Sequence, residues 1–303
     1  DLTKVTYDDI RNLIGDTNID AIVGGPPCQG MSLSGPRKFN DPRNALYLSF
    51  LRLVEELRPK AVVIENVPGI MSLYDGKICN AIIEKLGDIG YYVNPAILNA
   101  SAYGVPQYRR RAVFVGLLDK KFTFPERTHF EDQDLLPIFH SIITCEEALS
   151  DLPLLENELG EDRQEYPVST KNAYQELMRT GSEYIYNHIA AKHSEQVRKI
   201  ISLVPPGKNY KCLPEHLQDT RRFHVAWTRF PTDKPAPTID TGHRHHFHYK
   251  ANRVPTVREC ARLQSFPDKF LFIGNKAQQF KQVGNAVPPL LAQNIGEELL
   301  KYL

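Results

Sequence analysis

Ile22-Val23-Gly24-Gly25-Pro26-Pro27-Cys28-Gln29-Gly30 is the stretch on which the fold turns. The apolar run Ile19-Asp20-Ala21-Ile22-Val23 predicts a short buried strand, rich in β-branched residues. Two glycines and two prolines stop it abruptly and open a loop. Cys28 follows at once. A cysteine just past the carboxyl end of a strand sits where open α/β sheets hold their ligands. Taken alone, Cys28 reads equally as one more small buried residue.

Working outward, Tyr7–Ile14 predicts a helix ended by Gly15, ahead of the strand. Beyond the cysteine, Met31-Ser32-Leu33-Ser34-Gly35-Pro36-Arg37-Lys38 is a hydroxyl-rich, then basic loop of the kind that can contact phosphate. Leu46, Phe50, Leu53, Val54 and Leu57 recur at helical spacing up to Pro59. Ala61-Val62-Val63-Ile64 predicts a second buried parallel strand, ending in Glu65-Asn66-Val67-Pro68-Gly69. A carboxylate and an amide thus stand at a strand's carboxyl end, beside the cysteine loop if the two strands are neighbours. A helix over Gly76–Leu86 and strands over Tyr91–Leu98 and Ala112–Gly116 continue the alternation. That rhythm predicts a doubly wound α/β sheet.

Before the last of these strands lies Gln107-Tyr108-Arg109-Arg110-Arg111. Alternation would turn Arg109 and Arg111 to one face and Arg110 to the other. Two guanidiniums on one face suit a phosphate or a polar base edge. From Phe122 the rhythm is lost, and residues 121–252 predict a smaller second domain of irregular β structure with one helix over Ala191–Leu203. From Arg253 the pattern tightens again. Thr256-Val257-Arg258-Glu259 is a capping box opening a helix to Gln264, and Gly284-Asn285-Ala286-Val287-Pro288-Pro289 leads into a terminal helix over Leu290–Leu303. The expected domains are therefore 1–120, 121–252 and a return to the first over 253–303.

Composition narrows the classes. The 303 residues carry a net charge of +1, so no global excess marks a nucleic-acid partner. The distribution is uneven. Glu126–Glu165 is acidic, whereas Lys208–Arg258 is basic and holds His216, His224, His243, His245, His246 and His248. A nearly neutral protein can still present one basic face. The five cysteines include no C-x-x-C pair, which argues against a zinc site or a disulfide framework and for reduced thiols in a cytoplasmic protein. His243-Arg244-His245-His246 lacks a carboxylate or cysteine at ligand spacing, so no metal is expected. No apolar run approaches a membrane span.

Pro27-Cys28-Gln29, Glu65-Asn66-Val67, Gln107 to Arg111, Arg258-Glu259-Cys260-Ala261-Arg262-Leu263-Gln264-Ser265-Phe266-Pro267 and Gly284-Asn285-Ala286-Val287 occur in this order. Together they resemble the DNA (cytosine-5) methyltransferases of bacterial modification-enzyme type. The resemblance covers nearly the whole chain and is weakest over 120–252. It implies a Rossmann-like methyltransferase sheet with a target recognition domain. It also implies methyl transfer from S-adenosylmethionine to C5 of a cytosine flipped out of duplex DNA. Cys28 is implied as the nucleophile that adds to C6. Glu65 is implied at N3 of the ring, and Arg109 and Arg111 match the two arginines of that motif, one of them near the cytosine O2. Gln29, Ser32, Ser34 and Asn66 fall in or beside the loop that closes over the base. Thr238-Ile239 resembles a Thr-Leu-like pair of the recognition region, whose DNA-reading part is placed at 208–250 with Arg244.

For the cofactor, the resemblance implies Asp1, Pro27, Leu46 and Asn285. The family's opening strand, its Phe-x-Gly-x-Gly-Gly loop and the ribose-holding acid have no counterpart here, since Asp1-Leu2-Thr3 matches the start of a later motif. About two βα units, on the order of 60 residues, are expected to be missing. They would lie upstream of this chain or in a partner chain. Two other readings share these motifs: a tRNA cytosine-5 methyltransferase of the same fold, and a subunit without chemistry of its own. The long segment before the fourth motif favours DNA over tRNA. Nothing in the sequence spells out the recognition site or shows a cognate nuclease. The expectation that part of the cofactor pocket is absent has a direct readout. Titration calorimetry on this polypeptide alone should show weak S-adenosylmethionine binding, and tight binding would overturn it.

Overall fold

The computed structural model describes residues 2–26, 44–131, 140–218, 227–242 and 245–303. It divides into two compact units. The first comprises Asp1–Asn99, Arg110–Glu126 and Gln293–Leu303; the second comprises Ala100–Arg109 and Arg127–Ala292. This division differs from the expected boundaries. Most of 253–303 groups with the segment before it, and the second unit is the larger one. The physical reason is the helix over Val257–Leu263: all seven of its residues are buried, and its apolar ones belong to the core of the second unit.

In the first unit, α1 (Tyr7–Ile14) is capped by Thr6, whose hydroxyl accepts the Asp9 N–H while the Asp9 carboxylate accepts the Thr6 N–H. There follow β1 (Ala21–Gly24), α2 (Asn44–Leu57), β2 (Ala61–Asn66), α3 (Lys77–Asp88), β3 (Tyr92–Asn99) and β4 (Arg110–Leu117). The sheet order is β1-β2-β4-β3. Strands β1 and β2 are parallel neighbours, with Ala21 opposite Ala61 and Gly24 opposite Ile64. Val54, Val62, Ile64, Ile82, Leu86 and Phe114 fill the core beneath the helices.

The sheet is mixed rather than parallel throughout: β4 runs antiparallel to both β2 and β3. Only Ala100–Arg109 joins β3 to β4. A parallel return needs a crossover of roughly a dozen residues or more, so this short link forces an antiparallel one.

The second unit contains α4 (Cys145–Leu149), α5 (Ala173–Arg179), α6 (Glu195–Ser202), α7 (Glu215–Gln218), α8 (Val257–Leu263) and α9 (Lys276–Asn285). The chain leaves it within α10 (Pro289–Leu300). Among the described residues its strands form two-residue pairs, β5 (His129–Phe130) with β6 (His140–Ser141), β7 (Arg163–Gln164) with β8 (Ile185–Tyr186), and β9 (Thr228–Arg229) with β10 (His246–Phe247), beside an isolated bridge between Gln107 and Ala236. Helices and loops carry the remainder. The expected helix over Ala191–Leu203 is shorter, starting only after the Ser194 cap. Helix α9, which the sequence reading passed over, starts at a capping box between Asn275 and Gln278.

Charged residues build this unit as much as apolar ones. Arg262, fully buried, pairs with Asp151 at 2.9 Å and with Asp268 at 2.6 Å. The Tyr166 hydroxyl donates to Asp268 at 2.6 Å. Arg253 grips Glu259 through two bonds of 2.8 and 2.6 Å, and the same carboxylate accepts the Thr256 N–H at 2.8 Å. Buried ions are tolerated only when paired and hydrogen-bonded, and here each is.

Burial also suppresses histidine charging. His248 is pushed down to about 3, and His129 and His246 to about 4, in each case first by desolvation. Burial lowers His188 as well. Desolvation would raise the Glu259 carboxyl, yet the Arg253 guanidinium holds it far below the usual carboxylate range. The unfolded chain protonates its histidines near pH 6.5, while the folded chain resists until about pH 3–4. Between those values the unfolded state binds more protons, so stability is lost as the pH falls. Thermal melts should therefore lose several degrees between pH 7 and pH 4.5; a flat midpoint across that window would contradict the buried-histidine account.

Candidate active site

The site grows from the register of β2 and β4. Glu65 lies opposite Val113, so Arg111, two residues before Val113, occupies the diagonal position on the same face. Their side chains meet: Arg111 Nε is 2.8 Å from Glu65 Oε1. The pair is mostly shielded, at 12% and 20% exposure. Burial lowers the Arg111 pKa and the Glu65 charge opposes that shift. The guanidinium is directed further by a 2.8 Å bond from Nη1 to the Arg110 carbonyl.

The other Glu65 oxygen faces the root of the cysteine loop. A Cβ placed on Gly25 would stand 3.3 Å from Glu65 Oε2. The next residue of each strand is tied as well, because buried Asn66 donates from Nδ2 to the Pro26 carbonyl at 3.0 Å. Asn66 Oδ1 in turn accepts the Val67 N–H at 2.9 Å, which fixes the amide's orientation. Gly24 carries the ring of Phe50 at a distance a side chain would not allow. The parallel strands therefore deliver Gly25-Pro26 to the Glu65-Asn66 pair, as their order predicts. Pro27, Cys28, Gln29, Ser32 and Ser34 follow directly in the chain and lie outside the described residues, as do Asp1 and Arg244.

The second unit holds the other arginine of the motif. Arg109 is 1% exposed. Its Nη1 donates to the Ile239 carbonyl at 2.9 Å, and its Nη2 donates to the carbonyls of Gly284 at 2.6 Å and Ala286 at 3.0 Å. Gln107 lies alongside. Its Oε1 accepts the Ile239 N–H at 3.0 Å, and its Nε2 donates to Gln264 Oε1 at 2.5 Å and to the Leu263 carbonyl at 3.2 Å. Gln264 closes the lattice by donating to the carbonyls of Val283 and Ala286. Thr238, exposed, donates its hydroxyl to the Tyr108 carbonyl at 2.7 Å. The motif's two guanidiniums thus end on different partners, Arg111 on a carboxylate and Arg109 on backbone carbonyls.

Gly284 is where this lattice is tightest. A Cβ there would come within 2.7 Å of Thr241 N, with the Asp240 carbonyl closer still. Two backbones meet face to face, which only glycine permits.

Of the residues expected on the cofactor, Leu46 and Asn285 are described. Leu46 is half-buried on the first turn of α2, one turn ahead of the Phe50 that covers Gly24. It offers an apolar surface near the carboxyl end of β1, where α/β folds take their ligands. Asn285, exposed at the end of α9, lines an open hollow with Ile273, Gly274 and Gln278. No group of three metal-ligating side chains occurs among the described residues.

The sequence reading missed the roles of Gln107 and Gln264, although both stood inside quoted motifs. A buried carboxamide has no hydropathic signature. The usable signal was the joint presence of two glutamines and an arginine at the ends of otherwise apolar segments.

A family model described as C-5 cytosine-specific DNA methylase matches residues 1–301. The Type II methyltransferase M.DdeI of Desulfomicrobium norvegicum is 37% identical over 329 aligned positions, spanning all of this chain and 77% of that protein. The Type II methyltransferase M1.HphI of Haemophilus parahaemolyticus is 39% identical, over 99% of this chain and 73% of its own length. Among solved structures, a prophage-encoded protein of E. coli, described as a DNA modification methyltransferase, superposes with a TM-score of 0.77 at 27% identity. The match covers all of this chain and 84% of that one.

The two arginines should separate in mutagenesis. Replacing Arg109 strands the buried Ile239 and Gly284 carbonyls, so Arg109→Ala should cost about 2–6 kcal/mol in urea unfolding. Arg111→Ala breaks one charge-assisted bond in a mostly shielded pair and should cost less, about 1.5–3 kcal/mol. Equal costs would contradict the division of labour.

Proposed function

The chain belongs to the C-5 cytosine-specific DNA methylases, and from that premise we propose how its own residues carry the reaction. It is a DNA cytosine-5 methyltransferase, and its methyl donor is S-adenosylmethionine. The observation that carries the residue assignment is the Glu65 carboxylate. It is held by Arg111 on one oxygen and turned toward Gly25, three residues before Cys28, on the other.

In this reading Cys28 is the nucleophile. C5 of cytosine is a poor nucleophile, and addition of a thiolate to C6 moves electron density onto C5. Covalent addition splits one difficult step into easier ones. Glu65 holds or protonates N3, which makes C6 electrophilic; the ring then draws electrons away as sulfur adds. Arg111 keeps that carboxylate aimed and adds positive charge near a developing thiolate. Asn66 fixes the root of the loop through Pro26. Bound S-adenosylmethionine supplies an electrophilic methyl, with Leu46, Asn285, Asp1 and Pro27 as the residues assigned to hold it. Once C5 is methylated, loss of the C5 proton and departure of the sulfur restore the ring and free Cys28.

The substrate is double-stranded DNA, from which the target cytosine must leave the stack to meet a cysteine. Gln29, Ser32 and Ser34 are assigned to the loop over the flipped base. Thr238 and Arg244 are assigned to the reading of flanking bases within 208–250. A bacterial modification enzyme of a restriction pair is the setting that fits the Type II relatives. No helix among the described residues is long and apolar enough to cross a membrane.

Duplex DNA carrying 5-fluorocytosine tests the chemistry, since fluorine at C5 blocks release of the sulfur. The enzyme should form an adduct that survives denaturation, and Cys28→Ser should form none. Glu65→Gln should slow methyl transfer by about 10²–10⁴-fold. An adduct persisting in Cys28→Ser would remove Cys28 from the mechanism, and transfer to tRNA in preference to duplex DNA would replace the substrate.

A further inference from the structure

The His243-Arg244-His245-His246 run is not used by the reaction, yet its two described imidazoles are both committed. His245 Nδ1 lies 2.5 Å from Asp240 Oδ2. His246 is buried, stacks on Phe230 with ring centroids 5.2 Å apart, and is hydrogen-bonded to the Thr238 backbone. Each ring uses one nitrogen in these contacts, and both tie the Thr238–Gly242 arm to β10.

Asp240 is the joint. Its Oδ1 accepts the Gly242 N–H at 2.8 Å while Oδ2 holds His245. Its backbone is wedged against Gly284. The preceding residue, Ile239, is gripped by Gln107 and Arg109. Beyond the pair, the His245 carbonyl accepts the Thr228 N–H at 3.1 Å, and β10 runs beside β9 in register, His246 opposite Thr228. One carboxylate therefore connects the buried lattice to the β9–β10 pair.

Charge makes the arrangement informative. Asp240 is 39% exposed within a basic stretch assigned to DNA. A carboxylate near phosphates costs affinity. Its presence is explained by order rather than by attraction.

We propose that the Asp240–His245 pair is a positioning element for target discrimination: it sets the Thr238-bearing arm against β9–β10 so that the reading surface fits one DNA site and not its near neighbours. This rests on the DNA reading above. Neither residue touches the reacting atoms.

The test uses the intact protein produced in cells that lack cytosine methylation, with bisulfite sequencing of plasmid DNA. The wild type maps its own site. His245→Ala and Asp240→Asn should raise methylation at sites differing by one base pair by about tenfold relative to the mapped site. His245→Asn should restore discrimination, because its amide nitrogen can stand where Nδ1 stood. Asp240→Asn should bind non-specific duplex as tightly as wild type or more tightly in a fluorescence-anisotropy salt series, which a merely structural defect would not produce. Thermal melts accompany each variant, and if His245→Ala fails to fold, Asp240→Asn decides. An unchanged methylation pattern in Asp240→Asn would overturn the proposal. So would a loss in His245→Asn equal to that in His245→Ala. A wild type that leaves no 5-methylcytosine would defeat the functional reading and this inference with it.

Discussion

The contact on which the second unit depends is the buried guanidinium of Arg109 on the carbonyls of Ile239, Gly284 and Ala286. Those carbonyls lie in two segments far apart in the chain, and neither supplies a regular strand partner for the other there. Without a multivalent donor the Ile239 and Gly284 carbonyls would be desolvated acceptors, at a cost of about 1–3 kcal/mol apiece, while Ala286 would keep its bond from Gln264. Arginine is suited to this because its planar fork presents five donors and it does not give up its proton. Gln107 and Gln264 complete the pattern, each using both ends of its carboxamide. The segment carrying Thr238 and the turn carrying Asn285 are thereby fixed to one support.

A different solution operates at the sheet. Glu65 and Arg111 need no lattice, since strand register alone places them on one face. Their ion pair is mostly shielded, and it fixes the direction of the carboxylate. The Asn66 bond to the Pro26 carbonyl contributes geometry rather than much energy, anchoring the loop immediately ahead of Cys28. One arginine of the motif thus maintains architecture and the other maintains a carboxylate's aim. Their separation by a single residue in sequence hides how different their surroundings are.

Buried ion pairs recur through the second unit, around Arg262 and Arg253. Such pairs rarely add stability over an apolar core of the same shape. They do impose direction, which short strands and loops otherwise lack. A unit whose described strands form two-residue pairs has few backbone ladders to define it, and directed side-chain bonds take over that role.

The local patterns were legible from the residues alone. Strands at the apolar runs Ile19–Val23 and Ala61–Ile64, the Tyr7–Ile14 helix, the Thr256 capping box and the placement of Glu65 beside the root of the cysteine loop all follow from periodicity and turn residues, although the first strand is not buried as expected, with Val23 70% exposed. These are near-neighbour effects, and composition within a window determines them. The order of the motifs was likewise enough to indicate the family and its chemistry. What the tertiary structure alone decided were relations between distant segments. These include the antiparallel insertion of β4, the grouping of Val257–Leu263 with the second unit, and the separate partners of Arg109 and Arg111. Each depends on which donor meets which acceptor after the chain has closed on itself. Burial of charged side chains such as Arg109, Glu259 and Arg262 runs against hydropathy, so no local rule announces it; only the partner, a hundred or more residues away for Arg109 and for the Arg262–Asp151 pair, explains why it is there.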